Sequence, residues 1–105
     1  MADTFKQDWK LFRERIGDWQ EAYMEKLIQD YMKLLRSKKP ASEKFWTLEK
    51  RIAKDKKKPG VILQLEQDTM LMDLSLLIRT GVITLEDLEG FSDWTKERVQ
   101  DWLRD

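Results

Sequence analysis

The 105-residue chain has no cysteine and no histidine. Without cysteine there are no disulfides, no thiol redox chemistry and no zinc–thiolate site. Without histidine there is no Ser-His-Asp triad, no imidazole general base and no His-ligated metal. Glycine and proline are scarce, at four and two. The longest unbroken apolar runs are three residues, as at Val61-Ile62-Leu63, against the roughly 20 that a membrane span needs. The opening residues, Met1 to Phe5, lack the basic and apolar regions of a signal peptide. The expectation is a cytoplasmic protein with no membrane partner and no cofactor.

What is present points to a folded helical chain. Five Trp, four Phe and two Tyr can fill a core, and disordered chains are poor in aromatics. The length suits one domain, 1–105. Phe5, Trp9, Phe12, Ile16, Trp19 and Tyr23 recur at alternating steps of four and three, one apolar stripe on a helix. Leu27, Ile28, Tyr31, Leu34 and Leu35 continue it. Thr4 and Gln7 read as a capping box. Gly17-Asp18 falls inside the run, so the pattern allows one kinked helix over 4–36 or two helices split near 17. Ser37-Lys38-Lys39-Pro40 ends it.

Ser42 is placed to cap a second helix over roughly 43–57, with Phe45, Trp46, Leu48 and Ile52 as its apolar face. Pro59-Gly60 breaks the chain. A third helix is expected over about 61–80, apolar on most sides and therefore central, with Gly81 as C-cap. Thr84 and Asp87 start a short helix over about 85–90, and Ser92 caps a last one over about 93–104. The fold class is all-α: a single compact domain of four to six helices behind a long or kinked N-terminal amphipathic helix.

The net charge of zero is a cancellation. Residues 1–60 hold 16 basic and 10 acidic groups, a net of +6, while residues 61–105 hold 4 and 10, a net of −6. Residues 33–58 alone carry 11 basic and 3 acidic groups, a net of +8. Such asymmetry suggests a polyanionic partner or self-complementary docking. The simpler reading is that the two segments pack together and neutralise each other.

Lys50, Arg51, Lys54, Lys56, Lys57 and Lys58 form a candidate phosphate-contacting patch, which would bind without reading sequence. Phe45 and Trp46 could stack on bases beside it, although an amphipathic helix ordinarily buries such residues in its core. A sequence pI near 6.3 argues against nucleic acid. Segment 70–103 has a helix-turn-helix outline, but Asp93, Glu97, Asp101 and Asp105 on its last helix would repel phosphate. Glu86, Asp87, Glu89 and Asp93 could hold magnesium, yet Glu66 and Asp73 lie two turns apart, the wrong spacing for a facing pair. Helix capping explains Glu86 and Asp87 equally well.

Four of the five tryptophans follow an aspartate: Asp8-Trp9, Asp18-Trp19, Asp93-Trp94 and Asp101-Trp102. Neighbours on a helix point about 100° apart, so each pair straddles an apolar–polar boundary. Trp9 and Trp19, on the long stripe, are the candidate protein interface, with core edge as the alternative. The stripe itself either packs within the domain or joins a partner helix.

Two stretches carry a resemblance. Ala41-Ser42-Glu43-Lys44-Phe45-Trp46-Thr47-Leu48-Glu49-Lys50-Arg51-Ile52 leading to Lys58-Pro59-Gly60-Val61-Ile62-Leu63 is the first. Gly81-Val82-Ile83-Thr84-Leu85-Glu86-Asp87-Leu88-Glu89-Gly90-Phe91-Ser92 is the second. Together they resemble a family of small bacterial proteins, mostly Gram-positive, of no known activity, some of which carry a "multidrug transporter" label. The resemblance implies a bacterial cytoplasmic protein and brings no functional residues. The transporter label finds no support, since no segment can span a bilayer.

The leading expectation is a small cytoplasmic helical binding or adaptor module, not an enzyme, acting through protein contacts, with a homodimer as one form. The alternative is a nucleic-acid-associated protein using segment 50–58. A magnesium-dependent hydrolase stands last.

Overall fold

The computed structural model describes the backbone of residues 2–104 and the side chains of residues 4–104. Met1 and Asp105, the latter counted above among the acids of the last helix, lie outside the described residues. Among them are four α-helices and no strand: α1 Ala2–Arg36, α2 Ala41–Asp55, α3 Met70–Arg79 and α4 Asp93–Arg104. Two 3-10 turns, Gln67–Thr69 and Leu85–Leu88, precede α3 and α4.

Helix α1 is one continuous rod of 35 residues, about 52 Å at 1.5 Å per residue. Of the two arrangements the sequence allowed at Gly17, the unbroken one is found. Phe12, Ile16 and Trp19 pack on the same core across the glycine and hold both sides in line. Gly17 is exposed, and a Cβ built there meets nothing within 4 Å. Gly17→Ala should therefore raise the unfolding free energy by about 0.5–1 kcal/mol. A urea titration followed by tryptophan fluorescence measures this, and an unchanged or lower midpoint would show that the glycine serves another purpose.

The core is built on the first half of α1. Phe12, Met70, Leu74, Leu77, Leu88 and Val99 are fully buried, joined by Ile16, Ile83 and Phe91. These residues come from α1, α3, the Leu85–Leu88 turn, α4 and, for Ile83 and Phe91, the loops on either side of that turn, and none comes from α2. The second half of α1 has α2 beside it as an antiparallel hairpin. The molecule is accordingly elongated, 57 × 26 × 20 Å, with a radius of gyration of 16.7 Å against about 13 Å for a globular chain this long.

Several sequence expectations are corrected at element ends. Helix α1 begins at Ala2, which places Thr4 and Gln7 inside the helix, not at a capping box. Helix α2 begins at Ala41 after Pro40, with no side-chain cap, so Ser42 lies within the first turn. The third helix was expected from 61 and begins at 70. Residues 62–66 form no helix, and Glu66, just before the 3-10 turn, is extended. Val61 and Ile62, β-branched and weak helix formers, both donate their N–H groups to the Lys58 carbonyl at 2.9 Å, closing a turn. The chain that follows this turn packs Leu63 against the core. Helix α3 is less central than expected, because Met72 and Leu76 stay exposed.

Other signals hold. Gly81 and Gly90 have φ of 80° and 93°, left-handed values that side chains disfavour, and they end α3 and the second 3-10 turn. The Thr84 N–H donates to Asp87 Oδ2 at 2.8 Å, and the Thr95 N–H donates to Ser92 Oγ at 3.2 Å. Helix α4 spans the expected 93–104.

Among the described residues three carboxylates are buried: Asp8, Asp55 and Asp73. Asp8 clamps α1 to the start of α4. It accepts the Ser92 N–H at 3.0 Å, the Ser92 hydroxyl at 2.6 Å and the Thr95 hydroxyl at 2.6 Å. Asp73 accepts the Thr69 hydroxyl at 2.9 Å. Burial raises the Asp73 carboxyl above its ordinary value, with the Thr69 hydrogen bond opposing.

Candidate functional site

The hairpin is held at both ends by polar contacts. At its turn, the Ser37 hydroxyl donates to the Leu34 carbonyl at 2.7 Å and Lys44 Nζ donates to the Leu35 carbonyl at 2.9 Å. At its base, the Tyr31 hydroxyl donates to Asp55 Oδ2 at 2.5 Å, and Lys58 Nζ lies 3.1 Å from the other carboxylate oxygen. Gln20 Nε2 then donates to the Pro59 carbonyl at 2.9 Å, and buried Gly60 lies against the Tyr23 ring.

Between these ends the packing is sparse. Two helices side by side can bury only the stripes that face each other. Leu34 is the buried apolar residue of the hairpin. Ile28, Leu35 and Ile52 are more than 40% exposed. Phe45 is 63% exposed and Trp46 59%, so the expectation that they pack in the core is overturned. Their rings instead lean on each other edge to face, 5.0 Å between centroids. The physical reason is topological: the helices that could have covered them, α3 and α4, sit on the other half of α1. Met24, Ile28, Ile52 and Val61 line an open apolar groove between α1 and α2. A second shallow groove, with Phe45, Leu48 and Ala53, adjoins it through Ile52 and Lys56.

The basic patch surrounds this face. Lys50, Arg51, Lys54, Lys56 and Lys57 are exposed, while Lys58 is partly buried in its ion pair with Asp55. Lys50 follows Trp46 by one turn of α2, and Lys56, just past the end of the helix, lines the second groove together with Phe45. The reading that the basic and acidic segments neutralise each other is not met. Among the described residues the ion pairs are Lys58–Asp55, Arg98–Asp101 and Arg104–Asp101, each within three residues in sequence. None joins segment 33–58 to the acidic half.

Trp9 and Trp19, the sequence candidates for an interface, are partly buried against the core. Trp9 lies 6.0 Å from Phe12 with the Arg13 guanidinium over its ring, and Trp19 lies between Phe12 and Phe91 at 6.2 and 6.5 Å. Their exposed counterparts are Phe45 and Trp46. Glu86, Asp87, Glu89 and Asp93 are all exposed. Asp87 is engaged with Thr84. Among the described residues no three acidic side chains gather closely enough to hold a metal ion, and no helix is long and apolar enough to cross a membrane.

Within the Tyr31–Asp55–Lys58 cluster each group shifts its neighbours' titration. Burial pushes the Tyr31 phenol up to about 12, helped by its hydrogen bond to Asp55 and by the negative charge there. Burial alone would raise the Asp55 carboxyl, but hydrogen bonds from Tyr31 and Lys58 outweigh it and hold the group below its ordinary value. Lys58 is raised by its bond to Asp55. An unfolded tyrosine titrates near 10. The Tyr31 contribution to stability is therefore whole below about pH 10 and is lost as the pH rises through about 12. The Asp55 contribution is present above its unfolded value, about 3.9, and is lost as the pH falls through the depressed one. Phenolate absorbance should show Tyr31 titrating near pH 12, and Asp55→Asn should lower that midpoint by the part due to the carboxylate, while the part due to burial remains. A midpoint that Asp55→Asn leaves unmoved would break the pairing.

No family model, curated protein or solved structure matches the chain.

Proposed function

We propose that the protein is a small helical binding module, not an enzyme, that works through protein contacts made by the open face of the α1–α2 hairpin. The observation that carries this reading is the exposure of Phe45 and Trp46, side by side at 63% and 59%, on a helix anchored at both ends. Aromatic anchors of this kind dominate binding energy at interfaces, and large exposed apolar patches mark interaction sites. The groove beside them is the space a further helix would fill to complete a bundle. The same reading places the module in the cytoplasm, on the sequence alone. The family resemblance adds a bacterial setting and no activity.

The test is site-specific photo-cross-linking in living cells, with a photoreactive phenylalanine analogue at position 46 and, as control, at position 89. Protein adducts at 46 and none at 89 are expected. Absence of any adduct at 46 would remove the reading.

One observation favours nucleic acid as a second reading: the exposed pair Phe45 and Trp46 lies one turn before exposed Lys50 and opens on a groove that Lys56 also lines, a stacking platform with cations along its helix. Phosphate contacts are strong at low salt, so a mobility shift at about 50 mM salt would be expected, and its absence there would end this reading.

A further inference from the structure

We propose that the partner of the hairpin face is a second copy of this chain, laid antiparallel so that the basic hairpin of each meets the acidic half of the other. The inference rests on the binding-module reading above and names its partner.

Three observations carry it. First, the charges of opposite sign are separated along a molecule 57 Å long, and no ion pair among the described residues links them. Residues 21–60 hold 12 basic and 6 acidic groups, a net of +6, residues 61–105 carry −6, and residues 1–20 contribute four of each sign. A chain whose two poles balance is its own complement, whereas a foreign polyanion would leave the acidic pole unmatched. Two copies also meet without net repulsion, because each is neutral overall.

Second, apolar surface is exposed at both poles. The hairpin shows Phe45, Trp46 and Ile52, and the acidic half shows Leu65, Met72 and Leu76. Met72 and Leu76 share one face of α3 by their four-residue spacing, with exposed Glu66 and Asp68 just before them. Basic-edged aromatics therefore have an acid-edged apolar counterpart on the same chain.

Third, the chain exposes surplus surface. The accessible surface is 7373 Å², about 1,100 Å² above the roughly 6,200 Å² expected for a folded chain of 12.7 kDa. A stable interface takes about 800 Å² from each partner. A two-fold arrangement uses both poles twice and closes, leaving no open end for a filament. Like-to-like pairing of hairpins would instead bring two segments of +8 together.

Sedimentation equilibrium of the full chain tests this. At about 50 mM salt the mass should approach twice the 12.7 kDa of the chain, and the dissociation constant should weaken about tenfold or more at about 500 mM. The triple variant K50E/K56E/K57E should be monomeric, and so should E66K/D68K. Circular dichroism should show full helix in both, because all five side chains are exposed. Mixed in equal amounts, the two variants should form a heterodimer, since each pole of one then again faces opposite charge on the other. A strict monomer at low salt would overturn the proposal, as would a dimer that tightens with salt or a mixture that stays monomeric. If the chain is monomeric while position 46 cross-links to a different protein, the second copy is wrong and the binding-module reading stands.

Discussion

Asp8→Ala should be the most damaging single substitution among the polar residues, lowering the unfolding free energy by about 3–5 kcal/mol. Asp8 is 3% exposed, and it accepts hydrogen bonds from the Ser92 N–H and from the Ser92 and Thr95 hydroxyls. Thr95 is itself fully buried. Removing the carboxylate strands these donors away from water, and each orphaned group costs about 1–3 kcal/mol. It also loosens the N-terminus of α4, because the Ser92 hydroxyl that accepts the Thr95 N–H is oriented by Asp8. Against a typical stability of about 5–15 kcal/mol, such a loss brings the domain near its threshold. Asp8→Asn keeps one acceptor and should cost about half as much. Urea unfolding separates the two variants, and an Asp8→Ala cost under about 1 kcal/mol would show that the clamp contributes little.

Gly60→Ala should cost about 2–3 kcal/mol through overpacking. A Cβ on Gly60 would overlap the Tyr23 ring, coming within 2.7 Å of Cγ at the ring's rigid base. The ring cannot swing aside freely, since Tyr23 lies one turn beyond Gln20, which holds the Pro59 carbonyl. The substitution thus pushes the Pro59-Gly60 turn off α1 at the junction where the hairpin returns to the core. Placing the same change in a Tyr23→Ala background should recover most of the loss, because the clash then has no partner. If the penalty persists undiminished in that background, the turn is sensitive for a reason other than its contact with Tyr23.

Both substitutions bear on what could be read from residues alone. The 3.6-residue pattern gave α1, α2 and α4 with ends within a few residues, because each has a clean apolar stripe. Segment 61–69 departs from the expected helix because a short apolar run has no period that separates helix from irregular chain. The turn at Lys58 and the docking of Leu63 decided it. The three buried carboxylates had a visible signal. Asp8 falls between Phe5 and Phe12 at steps of three and four, Asp55 follows Leu48 and Ile52 at four and three, and Asp73 lies between Met70 and Leu77 at three and four. An acid in register with an apolar stripe is a group the fold must bury and satisfy. The exposure of Phe45 and Trp46 left no such trace. Their stripe is as regular as a core stripe, and only the tertiary arrangement, with α3 and α4 on the far half of α1, leaves it uncovered.

The central claim is that this aromatic pair serves contact with a partner and not the stability of the isolated chain. The most direct measurement is the unfolding free energy of the double variant F45Q/W46Q, chosen because glutamine keeps helix propensity. Measured at about 500 mM salt and at concentrations where the chain is monomeric, the double variant should keep a urea midpoint close to that of the parent, a change of about 1 kcal/mol or less, as for surface positions. A loss of several kcal/mol, in the range of about 3–5 for truncating one buried aromatic, would place Phe45 and Trp46 in the core and contradict it.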